Sequence, residues 1–350
     1  MPSPITNSPV LVTGATGFIA AEIVKQLLAI GYRVRGTTRD VDVCVNDGFL
    51  TALPGAPERL DLFEADLLDP GAFDEAVTGC EYVMHTASPF IIEFDDPQKD
   101  LVDPALNGTL SVLEACARTG QVKRVVLTSS FAAVSGGPAD KVFDESSWNT
   151  TSNLDRGAYA YSKTLAEKAA WKFVEDNDTT FDLVVINPTG VIGPSIVPRL
   201  NTTHGFFVAM AKGEYPGIIA LDFPFVDVRD IARAHILAME NPDAAGRYIT
   251  SNTNLSFRQI VEYSEEAGLG DEYKLPTMSL DNALGNVLVR FAANFQPQGV
   301  KDFLKTNGGH TYELDTSKVR EDLGLEFIDI KTSVFDAVED LQQWGHIAPV

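Results

Sequence analysis

The chain is poor in cysteine and in positive charge and has no long apolar run, and each shortage removes a class of function. Only Cys44, Cys80 and Cys116 occur among 350 residues. They are widely spaced, with no Cys-x-x-Cys pair and no partnered histidine cluster, so no metal site is expected and the thiols read as buried. Lys and Arg number 27 against 49 Asp and Glu, a formal net charge of −22. Such a field repels a nucleic-acid backbone or an anionic membrane surface, so neither is an expected partner. No apolar stretch approaches the roughly 20 residues that span a bilayer, and "MPSPITNSPV" lacks the charged start and apolar centre of a secretory signal, so a cytoplasmic protein is expected. Internal repeats and low-complexity tracts are also missing.

What is present is a chain long enough, at 45% hydrophobic residues, to bury a sizeable core as one large domain or two intimately packed ones. Apolar β-branched runs alternate with helical patterns: "VLVTG" then "AAEIVKQLLAIG", "YVMHTASP" then "LNGTLSVLEACARTG", "RVVLTSS", then "LAEKAAWKFVED" and "FDLVVINP". Continuous apolar strands joined by helices predict an α/β fold with a doubly wound (Rossmann) parallel sheet. The second half is less regular, with helices expected around 256–268 and 332–343 and loop-like Gly, Pro and Asn between them. The expected division is a dinucleotide-binding Rossmann domain over 1–188, with return segments about 226–250 and 311–325. A smaller, mostly C-terminal substrate-binding cap would then take 189–225, 251–310 and 326–350.

Strand "VLVTG" leads through a turn into a helix that Gly31 can stop. Within the turn Gly14, Gly17 and the small Ala20 follow at intervals of three. Missing side chains let backbone approach a pyrophosphate, a small residue lets helix and strand pack closely, and the free amides of the helix face the anion. Gly14, Thr16, Gly17, Phe18 and Ile19 are therefore candidate cofactor contacts; a tight turn without a ligand is the plain alternative. The second strand, "YRVRGTT", runs into Thr38, Arg39 and Asp40. An arginine's planar fork there suits a 2′-phosphate, which favours NADP(H) over NAD(H), although Asp40 beside it can pair with Arg39 or point away. A solvated surface arginine is the other reading. Further on, "FEADLLD" places Asp66 and Leu67 where they can flank the adenine, or where Asp66 caps a helix starting near Pro70.

Three later segments carry reacting groups: "VVLTSSFAAV", "AYAYSKTLAEKAAW" and "VVINPTGVIGP". Tyr159 and Lys163 are four apart in a helical pattern and share a face, whereas Tyr161 points elsewhere. A free phenol has a pKa near ~10; a neighbouring ammonium and an oxidised nicotinamide both favour the phenolate, which makes Tyr159 the candidate acid and Lys163 its helper. Thr128, Ser129 and Ser130 end an apolar strand at the sheet's carboxyl edge, where a hydroxyl can hold a substrate oxygen.

A dinucleotide turn, a strand-end serine and a Tyr-x-x-x-Lys helix in this order resemble the extended branch of the short-chain dehydrogenase/reductase superfamily. The similarity covers nearly the whole chain, from "TGATGFIA" through "LTSS", "YAYSKTLAEKAAW" and "NPTGVIGP" to "FVDVRDIARAHI". It is nearest to the group of dihydroflavonol reductases, cinnamoyl-CoA reductases and fungal aldehyde reductases. The resemblance implies that Ser130, Tyr159 and Lys163 are catalytic, that Arg39 meets the 2′-phosphate, and that Thr86, Ala87 and Ser88 pass along the cofactor. Thr128 is a further cofactor candidate, and Pro188 and Val191 would lie against the nicotinamide.

Departures narrow the substrate. Ser135 stands where dihydroflavonol reductases usually have asparagine. "GAYAYSK" replaces the Asn-Trp-Tyr-Cys-Tyr-Gly-Lys of cinnamoyl-CoA reductases, so nothing selects a coenzyme A thioester. The run "DVDVCVND" lacks the second basic residue that many relatives carry after the arginine. Gly190 stands where sugar-nucleotide epimerases usually have asparagine.

Phe90, Phe131, Phe223 and Phe225 are candidates for lining an apolar substrate pocket, with core packing the competing use. His85 reads as a hydrogen-bonded strand histidine, His204 as an exposed loop residue, and Asp227 with Arg229 as a structural ion pair between cap and sheet. The expectation is an NADPH-dependent carbonyl reductase acting on an aldehyde or ketone with an apolar or aromatic body, as monomer or homodimer. An epimerase or hydroxysteroid dehydrogenase of the same superfamily is the alternative within that chemistry, and a non-catalytic NADP(H)-sensing protein is the alternative outside it.

Overall fold

A computed structural model of the chain describes residues 3–88, 95–270, 273–295 and 298–348. Its centre is a seven-stranded sheet. The first five strands in sequence are β1 (Val10–Val12), β2 (Val34–Thr38), β3 (Leu60–Glu64), β4 (Tyr82–His85) and β5 (Arg124–Thr128); Asp182–Pro188 and Gly246–Thr250 complete it. The spatial order is β3-β2-β1-β4-β5 followed by those last two strands, and every neighbouring pair is parallel. The chain builds outward from β1 and then returns to its other side at β4. That reversal opens a crevice at the carboxyl ends of β1 and β4, the place where doubly wound sheets take ligands.

Both faces are covered, which is why the strands read as unbroken apolar runs. One face packs α1 (Phe18–Ile30) and the Val228–Glu240 helix over Val10, Val12, Met84, Val126 and Ile186. The other packs the Asp103–Thr119 and Ala158–Asp176 helices over Leu11, Val83, Val125 and Val185. Gly31 ends α1 in the left-handed conformation, at φ 107°, as its position predicted. Cys44, Cys80 and Cys116 are all buried, and burial pushes the Cys80 thiol up to about 11, so these are unreactive core thiols.

A separate core gathers Ile192, Phe207, Ile218, Leu255, Phe257, Val334 and Leu341. Around it lie the helices Thr202–Ala211, Phe257–Glu266 and Ile330–Gln343 and a three-stranded sheet of Gly190–Ile192, Asp222–Asp227 and Thr253–Ser256. The stretch between 268 and 332 is not loop-like as its Gly and Asn suggested. It contains the helices Ala283–Ala292, Gln298–Asn307 and Ser317–Leu323. The polar punctuation supplies their ends: Asn282 accepts the Gly285 N–H at 2.9 Å, and Gly324 closes the third helix at φ 63°.

Candidate active site

The turn after β1 is shaped by close approach. Gly14 has φ 65°, and a Cβ there would lie 3.1 Å from that of Ala87, so backbone and neighbouring segment meet without room for a side chain. Its N–H donates to Thr37 Oγ1 at 3.0 Å, tying the turn to β2. Gly17 caps α1 with no side-chain hydrogen bond and no acidic residue in the first helical turn, leaving the amides of that end open to an anion. Thr16, Phe18 and Ile19 are partly exposed along its rim, and Ala20 is buried against the strand.

Thr13, which sequence reasoning passed over, organises the adjoining segment. Its hydroxyl accepts the N–H groups of Thr86 at 3.1 Å and Ala87 at 3.0 Å and pairs with His85 Nδ1 at 3.0 Å. The strand histidine is thus hydrogen-bonded, as expected, and burial with the nearby Lys163 charge depresses its pKa to about 3.

At the end of β2 the ambiguity between Arg39 and Asp40 has a structural answer. Asp40 caps α2 (Val41–Asp47), its carboxylate accepting the Val43 N–H at 2.8 Å. Arg39 is exposed and makes no hydrogen bond or ion pair with any described residue. Arg35 is committed elsewhere: its guanidinium donates to the carbonyls of Ala76 at 3.2 Å and Thr78 at 2.5 Å and lies over the Phe63 ring. Asp66 accepts the Leu68 N–H at 2.9 Å, closing its own turn rather than capping a helix near Pro70, and Leu67 packs against Gly108.

Tyr159 and Lys163 stand one turn apart at the start of the Ala158–Asp176 helix. That start is pinned by Gly157, left-handed at φ 69°, whose N–H donates to Asp302 Oδ2 at 3.1 Å. Lys163 is 8% exposed, donates from Nζ to Ser88 Oγ at 2.7 Å, and has no carboxylate partner among the described residues. Burial of the ammonium lowers its pKa to about 8. Tyr159 is hydrogen-bonded with Ser130, which lowers its pKa, but burial is the larger effect and pushes the phenol up to about 12. In the protein alone the phenol therefore stays protonated; Lys163 lies 5.7 Å from the ring centroid, and the lowering expected from it is not seen.

The two serines after β5 part company. Ser129 donates to Glu167 Oε2 at 2.5 Å, while Ser130 faces Tyr159 and its Oγ also accepts the Ala132 N–H at 3.1 Å. Glu167 is the centre of a buried network that sequence reasoning missed. It takes Asn187 Nδ2 at 2.7 Å and Arg247 Nε at 2.6 Å, and Asn187 also donates to the Ser130 carbonyl at 3.2 Å. The available signal was position: Glu167 follows Lys163 by four residues on the same helix face. Thr128 Oγ1 is hydrogen-bonded to His235 Nε2 at 2.7 Å.

Pro188 ends its strand beside Thr250, and Val191 pairs with Val226 in the smaller sheet. Phe225 fills the space over Gly190, where any Cβ would sit 2.7 Å from its ring. Phe223 and Phe225 are partly exposed with ring centroids 5.8 Å apart. Phe131 is 4% exposed and packs edge-on against Phe143 and Tyr312, a core use of that aromatic. Phe90 lies outside the described residues. His204 departs from its reading as a surface loop residue. Asn201 caps the Thr202–Ala211 helix and turns His204 inward, where it is 2% exposed, hydrogen-bonded to the Gly193 carbonyl at 3.0 Å and edge-on to Phe18. Arg229 bridges Asp227 and Asp336, each at 2.7 Å, which joins the strand end to the Ile330–Gln343 helix.

The profile of the NAD dependent epimerase/dehydratase family matches residues 10–252, the glycine turn through the strand beyond Asn187. The chain belongs to that family. Within the epimerase/dehydratase family its similarity is to reductases: it is 40% identical to a cinnamoyl-CoA reductase of Medicago truncatula over 98% of both chains. It is 37% identical to tetraketide alpha-pyrone reductase 1 of Arabidopsis thaliana over 97% of both. Yeast methylglyoxal/isovaleraldehyde reductase, solved with NADPH, superposes with a TM-score of 0.79 at 29% identity, covering 97% of this chain and 100% of that one. Vestitone reductase from alfalfa gives a TM-score of 0.73 at 32% identity over 97% and 100%. This member of the epimerase/dehydratase family is an oxidoreductase of the carbonyl-reductase kind, with a nicotinamide cofactor. No helix among its described residues is long and apolar enough to cross a membrane.

Proposed function

We propose that the protein is an NADPH-dependent reductase of aldehydes or ketones with an apolar or aromatic body. The observation that carries this reading is the hydrogen bond between Ser130 and a protonated, half-buried Tyr159, one helical turn from an ammonium that has no carboxylate partner among the described residues. A merely structural tyrosine needs neither neighbour.

The residues fit the cofactor. The Gly14 approach to Ala87, the open start of α1 and Gly17 suit a pyrophosphate; Arg39, exposed and unpaired among the described residues, suits a 2′-phosphate; Lys163 and Ser88 suit ribose hydroxyls. When bound, the dinucleotide supplies a hydride to the carbonyl carbon. Ser130 and Tyr159 hold the carbonyl oxygen, and Tyr159 donates its proton there as negative charge develops. Lys163 stabilises that charge and the resulting phenolate. Ser129 is turned away to Glu167, so the oxygen meets one serine. The substrate lies between the sheet's carboxyl edge and the segment carrying Phe223 and Phe225. Gly190, filled over by Phe225, speaks against the epimerase alternative, and the retained proton machinery speaks against a sensor. Loss of NADPH absorbance across a panel of aldehydes and ketones tests the proposal; consumption by none of them overturns it.

A further inference from the structure

A cavity of about 480 Å³ lies between the 134–156 segment and the Gln298–Asn307 helix. It is within the size range of small-molecule sites. Its composition is out of keeping with the chain. In a protein of net charge −22 it is lined by Lys141, Arg156, Lys305 and His310 against a single acid, Asp302. None of the three Lys or Arg residues is in an ion pair with a described residue. Arg156 Nη2 is oriented by the Thr151 carbonyl at 2.7 Å, Lys305 Nζ by Asn294 Oδ1 at 2.6 Å, and Lys141 lies over the Phe143 ring at 4.6 Å. These uncharged partners engage the exposed cations without neutralising them. Asp302 is already engaged, accepting from Gly157 N–H and Gln298 Nε2.

Two residues of the cavity wall connect it to the segments that carry the reacting groups. Arg156 precedes Tyr159 by three residues, which places their Cα atoms within about 11 Å of each other. Phe143 lines the cavity and packs on Phe131, the residue after Ser130, with centroids 5.9 Å apart. Trp148 and Phe143 supply apolar wall beside the cations.

We propose that this cavity seats the remote end of the carbonyl substrate and selects a molecule carrying a carboxylate or phosphate there. The proposal rests on the reductase reading above and adds the substrate's charge to it. Guanidinium and ammonium groups recognise either anion through charge-assisted hydrogen bonds, and their isolation in an acidic protein gives discrimination against neutral analogues.

The test compares 4-carboxybenzaldehyde with its methyl ester as substrates with NADPH, and 4-carboxybenzyl alcohol as a ligand by calorimetry, in wild type and in the triple variant Lys141→Gln, Arg156→Gln, Lys305→Gln. The expected result is a KM for the acid about tenfold below that of the ester, the effect of one charge-assisted contact. The acid-to-ester ratio of KM values should rise from about 0.1 to about one in the variant, with loss of alcohol binding. The single variants Arg156→Gln and Lys305→Gln each retain part of the advantage and cover the case in which the triple variant does not fold. Equal KM values for acid and ester in wild type, or alcohol binding unchanged in the variants, overturn the proposal. Alcohol binding that depends on the cations without turnover of any carbonyl would instead sink the reductase reading and leave the anion site standing.

Discussion

Lys163 Nζ lies 2.7 Å from Ser88 Oγ and 5.7 Å from the centroid of the Tyr159 ring, with its pKa lowered to about 8 by burial. The site therefore holds a cation whose charge is lost close to neutral pH. Reduction should decline as pH rises through about 8, because the ammonium that stabilises charge on Tyr159 disappears. The profile of kcat/KM reports the free enzyme's groups. Lys163→Met should lose that limb. The linked stability effect has a definite sign: folded Lys163 binds its proton less tightly than unfolded lysine, near 10.4, so the burial penalty is full below about pH 8 and fades toward 10.4. Lys163→Met should then be more stable than wild type at pH 7, by an amount that shrinks between pH 8 and 10. Chemical denaturation at several pH values measures it, and a difference independent of pH counts against a buried ammonium.

Tyr159→Phe removes the hydroxyl hydrogen-bonded to Ser130 and little of the cofactor surface. It should lower kcat by about 10²- to 10⁴-fold, the usual contribution of a positioned acid, while cofactor affinity changes little. Tyr161→Phe is the matched control, since two residues along a helix turn the side chain to another side. Wild-type kcat in the first variant, or collapse of kcat in the second, would mean the other phenol is the acid.

Glu167→Gln tests the network behind the serines. Arg247 is 6% exposed and its guanidinium pairs with Glu167 at 2.6 Å, lying over the Trp148 ring at 4.0 Å. Breaking one partner of a buried pair leaves the other uncompensated and typically costs about 3–5 kcal/mol. The double variant Glu167→Gln, Arg247→Met should recover part of that loss. Denaturant midpoints decide it: a single variant as stable as wild type shows that the pair is not buried in the way described.

Features defined by local chain geometry were readable in advance. The Gly14 and Gly17 turn, the Gly31 stop and the shared face of Tyr159 and Lys163 follow from spacing along one strand or helix. Whether Ser129 or Ser130 turns toward Tyr159 depends on Glu167, 38 residues beyond Ser129, and on Arg247 on another strand. Thr13 matters because β4 lies beside β1, a pairing 73 residues away. His204 looked exposed because its neighbours Asn201, Thr202 and Thr203 are polar, yet Asn201 spends its polarity on the helix cap and the next turn faces the core. The short helices between 283 and 323 were hidden because Asn and Gly serve equally as loop residues and as helix ends. Burial reversing the expected shift of Tyr159 is a tertiary effect with no local signature.

The proposed preference for NADPH rests on the geometry around Arg39. Its neighbour Asp40 is occupied, accepting the Val43 N–H at 2.8 Å as the cap of α2, so it neither neutralises the guanidinium nor is free to take ribose hydroxyls with both oxygens. Arg35, four residues back on β2, cannot substitute, because its guanidinium is held by the Ala76 and Thr78 carbonyls. Arg39→Ala should accordingly weaken NADPH binding about tenfold to hundredfold relative to NADH, the range of a charge-assisted phosphate contact. Asp40→Asn keeps the helix cap, since asparagine caps as well as aspartate. It removes only a charge near the phosphate, so it should leave NADPH binding equal or slightly tighter. Affinities of both dinucleotides for the three proteins, measured by fluorescence titration without substrate, separate the possibilities. Equal losses for NADPH and NADH in Arg39→Ala would make the arginine structural. A wild type that prefers NADH, with the preference abolished by Asp40→Asn, would mean the carboxylate leaves its cap to hold the ribose, and the assignment of NADPH would be wrong.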